Sequence, residues 1–72
     1  MHEKLPIVSG KDAIKALTKL GFIVKRQKGS HVVLQKENIV LTVPLHKTLK
    51  KGTLHAILKQ ADISLENFLK NL

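Results

Sequence analysis

Apolar residues recur at helical intervals early in the chain, the period then drops to two, and the helical spacing returns near the end. Ala13, Ile14, Ala16, Leu17 and Leu20 fall on one helical face, while Lys11, Lys15 and Lys19 repeat every fourth residue and line the opposite, solvated side. The spacing predicts a helix opening at Ser9, whose hydroxyl stands three residues before Asp12 as in a capping box, with Asp replacing the usual Glu. Gly21 supplies a left-handed stop. From Phe22 the alternation and the β-branched residues predict three short strands, over residues 22–27, 31–35 and 39–43. Lys28-Gly29-Ser30 and Lys36-Glu37-Asn38 are short polar connections that suit hairpins, so the sheet is expected to be an antiparallel meander. Pro44 has no N–H for the ladder and ends the third strand. Residues 45–52 read as a basic loop, with Thr53 as the N-cap of a helix that buries Leu54, Ile57, Leu58 and Ala61. A last short turn opens at Ser64, with Leu65, Phe68, Leu69 and Leu72 as its apolar positions. The order α-β-β-β-α, followed by a small terminal helix, predicts an α+β fold with a three-stranded antiparallel sheet and helices packed on one face.

Strand phase assigns the faces. With Phe22, Val24, Val32, Leu34, Ile39, Leu41 and Val43 turned toward the helices, His31, Val33 and Gln35 point the other way, beside Ile23, Val40 and Thr42. The open face is then partly apolar. Either a protein partner covers Ile23, Val33 and Val40, or they are scattered surface aliphatics that need no partner.

The chain has 72 residues, enough for one core and one domain over residues 1–72. It has no cysteine, which removes disulfides, thiolate zinc sites and thiol nucleophiles and fits a reducing compartment. Thirteen Lys and Arg against five Asp and Glu give a net charge of +8. The partner is expected to be an anion, and nucleic acid gains affinity from counterion release as its phosphates are neutralised. A membrane surface is the rival polyanion. Against it, no segment has the apolar length of a spanning helix, and Met1-His2-Glu3-Lys4-Leu5-Pro6 lacks the apolar core of a signal peptide, so a cytoplasmic protein is expected.

His31 follows Lys28-Gly29-Ser30 at the start of a strand, next to a turn rich in backbone donors. An imidazole can take the proton of a ribose 2′-hydroxyl near neutral pH, and RNA then supplies its own nucleophile. Such a reaction needs no metal or other cofactor, only a base, alignment, and positive charge for the crowded phosphate oxygens. Lys25, Arg26 and Lys28 offer that charge, and Gly29 and Ser30 offer contacts beside it. From position alone, a surface histidine that only hydrogen-bonds RNA or its own turn is the simpler account. His46, in Pro44-Leu45-His46-Lys47, is a candidate second acid or phosphate contact, set by its loop at the same end of the sheet as His31 or at the opposite one. His2 and His55 receive no role. Lys50 and Lys51 stand where a helix N-terminus already favours phosphate, and with Lys47 they form a candidate clamp. Phe22 and Phe68, the only aromatics, fit the core pattern, so the protein lacks platforms for stacking splayed bases. A metal site from His31, His46 and His55 is disfavoured by the strongly positive field.

Gly29-Ser30-His31 opening a strand, Val43-Pro44-Leu45-His46 closing the next, and Lys51-Gly52-Thr53-Leu54 leading into Ile57-Leu58-Lys59-Gln60-Ala61 together resemble the HicA toxins of bacterial and archaeal toxin–antitoxin pairs. The likeness runs from Ser9-Gly10 and Leu20-Gly21-Phe22 to Phe68-Leu69. It implies a fold like the double-stranded-RNA-binding domain and an mRNA-cleaving activity that stops growth. The histidine of the Gly-Ser-His motif, here His31, is the active-site residue that the resemblance implies, which turns the balance toward catalysis. The implied partner is a HicB antitoxin whose N-terminal domain docks on the toxin and masks the site, with the toxin monomeric when free and hetero-oligomeric with its antitoxin. Two other readings compete with a ribonuclease: a non-catalytic module that binds duplex RNA by shape, and an interaction domain whose charge serves an acidic protein.

Overall fold

The computed structural model describes residues 7–72. The N-terminal stretch read above for a signal peptide, His2 included, lies outside them. The elements are α1 (Gly10–Lys19), β1 (Ile23–Lys28), β2 (His31–Lys36), β3 (Ile39–Pro44), α2 (Lys51–Ala61) and α3 (Leu65–Lys70). β2 is the central strand of the sheet, antiparallel to β1 on one side and β3 on the other.

Local chemistry sets the boundaries of α1. The Ser9 hydroxyl accepts the Asp12 N–H at 3.0 Å, satisfying one of the donors that a helix start leaves open. Ser9→Ala is expected to lower stability by about 1 kcal/mol, measured as a drop in the urea midpoint; an unchanged midpoint would show that water replaces the cap. At the other end the Phe22 N–H donates to the Leu17 carbonyl at 3.0 Å and the Gly21 N–H to that of Thr18 at 3.2 Å. This is a Schellman motif, with Gly21 at φ +104° and the apolar pair Leu17 and Phe22 buried against it. The Lys36 ammonium also donates to the Leu20 carbonyl at 2.9 Å, tying the end of β2 to the helix stop.

Both hairpins are tight. Lys28 pairs with His31 and Lys36 with Ile39, which leaves two-residue turns at Gly29-Ser30 and Glu37-Asn38. Pro44 belongs to β3, opposite His31. The Leu45 N–H donates to the Ser30 carbonyl at 2.6 Å, so the next pair, His31 with Pro44, is of the non-hydrogen-bonded kind. A proline there gives up no ladder bond.

The core lies between one face of the sheet and the helices. Val32, Leu34, Leu41 and Val43 meet Ala13, Ala16 and Leu17 of α1, Leu54, Ile57, Leu58 and Ala61 of α2, and Phe68 of α3, all buried. Ile39 and Leu65 are partly buried against this cluster. Val24 departs from expectation. It shares the core-facing side with Leu34, its register partner, yet remains 45% exposed, because α1 and α2 make their sheet contacts chiefly with β3 and leave β1 uncovered. Every residue of β1 is exposed.

Two further expectations are corrected at the C-terminal side. Thr53 is not a cap: α2 begins at Lys51, and Lys50 is the N-cap, with extended backbone and no side-chain bond. Leu49 is buried and its N–H donates to the Val8 carbonyl at 2.7 Å, so the chain is anchored in the core just before Lys50 and the helix can start at once. Leu69 and Leu72 are 42% and 49% exposed. α3 is short and packs through Phe68 alone among its fully buried residues, its start capped by Ser64 at 3.1 Å from the Asn67 N–H. No helix among the described residues is long and apolar enough to cross a membrane.

Candidate active site

The sheet face turned away from the helices carries His31. Its neighbours there depend on one irregularity in β1. Val24 pairs with Leu34 and Arg26 with Val33, so Lys25 is an extra residue set against a single step of β2, a β-bulge. Strict alternation from Ile23 would have placed Lys25 and Gln27 beside His31 and turned Arg26 and Lys28 toward the helix side. The bulge reverses that phase. Lys28 becomes the direct cross-strand partner of His31, and Arg26 sits opposite Val33 on the same face.

Arg26, Gln27, Lys28, His31, Val33 and Thr42 line an open cleft of about 710 Å³, a size within the range of ligand pockets. No carboxylate among the described residues lines it. His31 is exposed at the mouth of the β1–β2 turn, whose shape is held by the Gln27 amide donating to the Gly29 carbonyl at 3.0 Å. The arrangement puts one proton acceptor beside two cations of the neighbouring strand, on a surface that water and a polyanion can reach.

His46 and the basic loop gather at this same end of the sheet. The Leu45 N–H is bonded to the Ser30 carbonyl, and the Gly10 N–H donates to the His46 carbonyl at 2.9 Å. The loop then runs back along residues 8–10 and reaches α2 at Lys50, with His46, Lys47, Lys50 and Lys51 all exposed. None of these four lines the cleft, and neither do Lys25, Gly29 and Ser30, which flank it. The first turn of α2 contains no acidic residue, and its N–H groups and the two lysines make this a positive end. The expected partly apolar zone lies on the same sheet face, farther from His31, where Ile23 is 64% and Val40 53% exposed on either side of Gln35. Among the described residues no three of His, Asp and Glu stand together as a metal site.

Gln27 and Thr42, which the sequence did not single out, belong to the cleft. Gly10 matters for a different reason: a Cβ there would fall 1.9 Å from the Pro44 carbonyl oxygen, so α1 presses directly on the strand end opposite His31.

A family model described as the HicA toxin of bacterial toxin–antitoxin systems matches residues 10–63. The chain belongs to the HicA toxin family. It is therefore a toxin of a toxin–antitoxin system, with an antitoxin as its partner. The span matched to HicA opens at the first residue of α1 and closes just after α2, so it takes in the sheet, the cleft and the basic loop. A comparison with curated proteins found no match.

Proposed function

We propose that this HicA-family chain is an endoribonuclease that cleaves mRNA without a metal or other cofactor, with His31 as the general base. One observation carries the reading: an exposed imidazole shares a solvent-facing cleft with Arg26 and Lys28 and with no carboxylate of the described residues. His31 takes the 2′-hydroxyl proton, the freed oxygen attacks the adjacent phosphorus, and the cations hold the charge that builds on the phosphate oxygens. Arg26 and Lys28 act inside the cleft. Lys25, Gly29 and Ser30 contact RNA at its rim, and His46, Lys47, Lys50 and Lys51 extend the track along the loop. The whole chain, residues 1–72, acts as one domain. It is monomeric when free and is silenced in a hetero-oligomer with a HicB-like antitoxin, for which exposed Ile23 and Val40 supply the apolar part of the docking face.

The test is chemical. Toxin freed of antitoxin and incubated with a defined transcript in EDTA is expected to leave fragments ending in a 2′,3′-cyclic phosphate and a 5′-hydroxyl, since an internal hydroxyl does the attacking. Cleavage only on addition of a divalent metal, or 5′-phosphate ends, would overturn the mechanism.

A further inference from the structure

We propose that His46 is the general acid of this reaction, the group that protonates the departing 5′ oxygen; the proposal rests on the reading of His31 as base. The alternation of strands left His46 free to lie at either end of the sheet. The backbone decides it. His31 and Pro44 face each other in a non-hydrogen-bonded pair, in which Cα atoms are about 4.5 Å apart. His46 follows two residues later, a reach of at most roughly 7 Å of chain. Its position is pinned from two sides. Leu45 is bonded to the carbonyl of Ser30, the residue before His31, and the carbonyl of His46 itself accepts the Gly10 N–H. The lack of space for a Cβ at Gly10 shows how closely α1 holds this segment. The His46 side chain is exposed.

His31 lines the cleft and His46 stands outside it, at the same sheet end. An in-line displacement asks for a base and an acid that stand apart, because the attacking and leaving oxygens sit on opposite sides of phosphorus, and two histidines at one sheet end that do not share the cleft offer two separate positions. A guanidinium does not release its proton in proteins, and an ammonium does so far less readily than an imidazolium. Of the side-chain types gathered here, imidazole is the one suited to give up a proton near neutral pH. In the step, the 2′-hydroxyl proton passes to His31 while the bond from O2′ to phosphorus forms. The bond from phosphorus to O5′ breaks, and O5′ takes a proton from the His46 imidazolium. The products are a 2′,3′-cyclic phosphate and a 5′-hydroxyl, and solvent restores both rings to their starting states.

The experiment uses an RNA carrying one mapped cleavage site, made with oxygen or with sulfur at the bridging 5′ position. A thiolate leaves without being protonated. In EDTA, His46→Ala is expected to slow cleavage of the oxygen substrate by about 10²-fold or more, yet to cut the sulfur substrate within about threefold of the wild-type rate. His46→Asn should repeat the pattern, whereas His31→Ala should remain slow on both. An oxygen-substrate rate within about twofold of wild type for His46→Ala, an equal loss on both substrates, or sulfur rescue in Lys28→Ala instead, would each overturn the assignment of the acid while leaving His31 in place. Wild-type protein that cuts neither RNA would overturn the ribonuclease reading itself, and this proposal with it.

Discussion

Replacing His31 by alanine is expected to slow RNA cleavage by about 10²- to 10⁴-fold while RNA affinity stays within about twofold of wild type. The separation follows from where the ring stands. On the proposed function, phosphate affinity comes from Arg26, Lys28 and the lysines of the loop, none of which is removed, and such a contribution is the salt-dependent one. The ring is exposed on the face opposite the core, so the fold should survive with a stability change inside about 0.5 kcal/mol. Single-turnover cleavage measured alongside filter binding at fixed salt checks both halves. A parallel fall in rate and affinity would make His31 a contact rather than a base.

Gly10→Ala is expected to destabilise the protein by roughly 3 kcal/mol or more. The sign is the informative part. Gly10 is the first residue of α1, and glycine to alanine within a helix ordinarily stabilises by up to about 1 kcal/mol. Here the new methyl would lie 1.9 Å from the Pro44 carbonyl oxygen, 2.9 Å from its carbon and 3.0 Å from the Leu45 Cα. These are backbone atoms, unable to swing aside as a flexible side chain would. Either α1 or the end of β3 must shift, with loss of the bond from Gly10 to His46. Urea titration decides it, and a midpoint equal to or above that of wild type would show that the contact relaxes at little cost.

Much of this architecture is legible in the residues because local signals and burial agree. Ser9 with Asp12, Gly21 with Phe22, and the alternating run from His31 to Val43 each specify one conformation by chemistry that operates within a few residues. Thr53 misleads for a physical reason. Its hydroxyl suits a cap, but burial of Leu49 and its bond to Val8 bring the chain into line earlier, and tertiary anchoring outweighs the local preference. Val24 fails in another way, since alternation gives a side of the sheet and says nothing about whether a helix lies over it.

At the site, His31 and its basic neighbours stand out from the sequence, but their shared face does not follow from alternation counted in one direction. Counting forward from buried Phe22 turns Arg26 and Lys28 toward the core. Counting backward from a two-residue turn at Gly29-Ser30 turns them toward His31. The two counts disagree by one residue, and that disagreement is the mark of the bulge at Lys25. The meander brings the end of the third strand beside the start of the second, but the course of the loop beyond Pro44, and with it the end of the sheet where His46 stays, is set by the long-range bonds from Leu45 to Ser30 and from Gly10 to His46.

The uncovered first strand divides the labour within the cleft. The proposed base sits on the central strand, braced on both flanks, while the cations opposite it sit on a border strand that carries none of the helices' weight. Exchanging Lys25, Arg26 or Lys28 therefore disturbs no packed interior. On the proposed function, the strand that grips RNA can change its charge without any cost to the scaffold that holds the base.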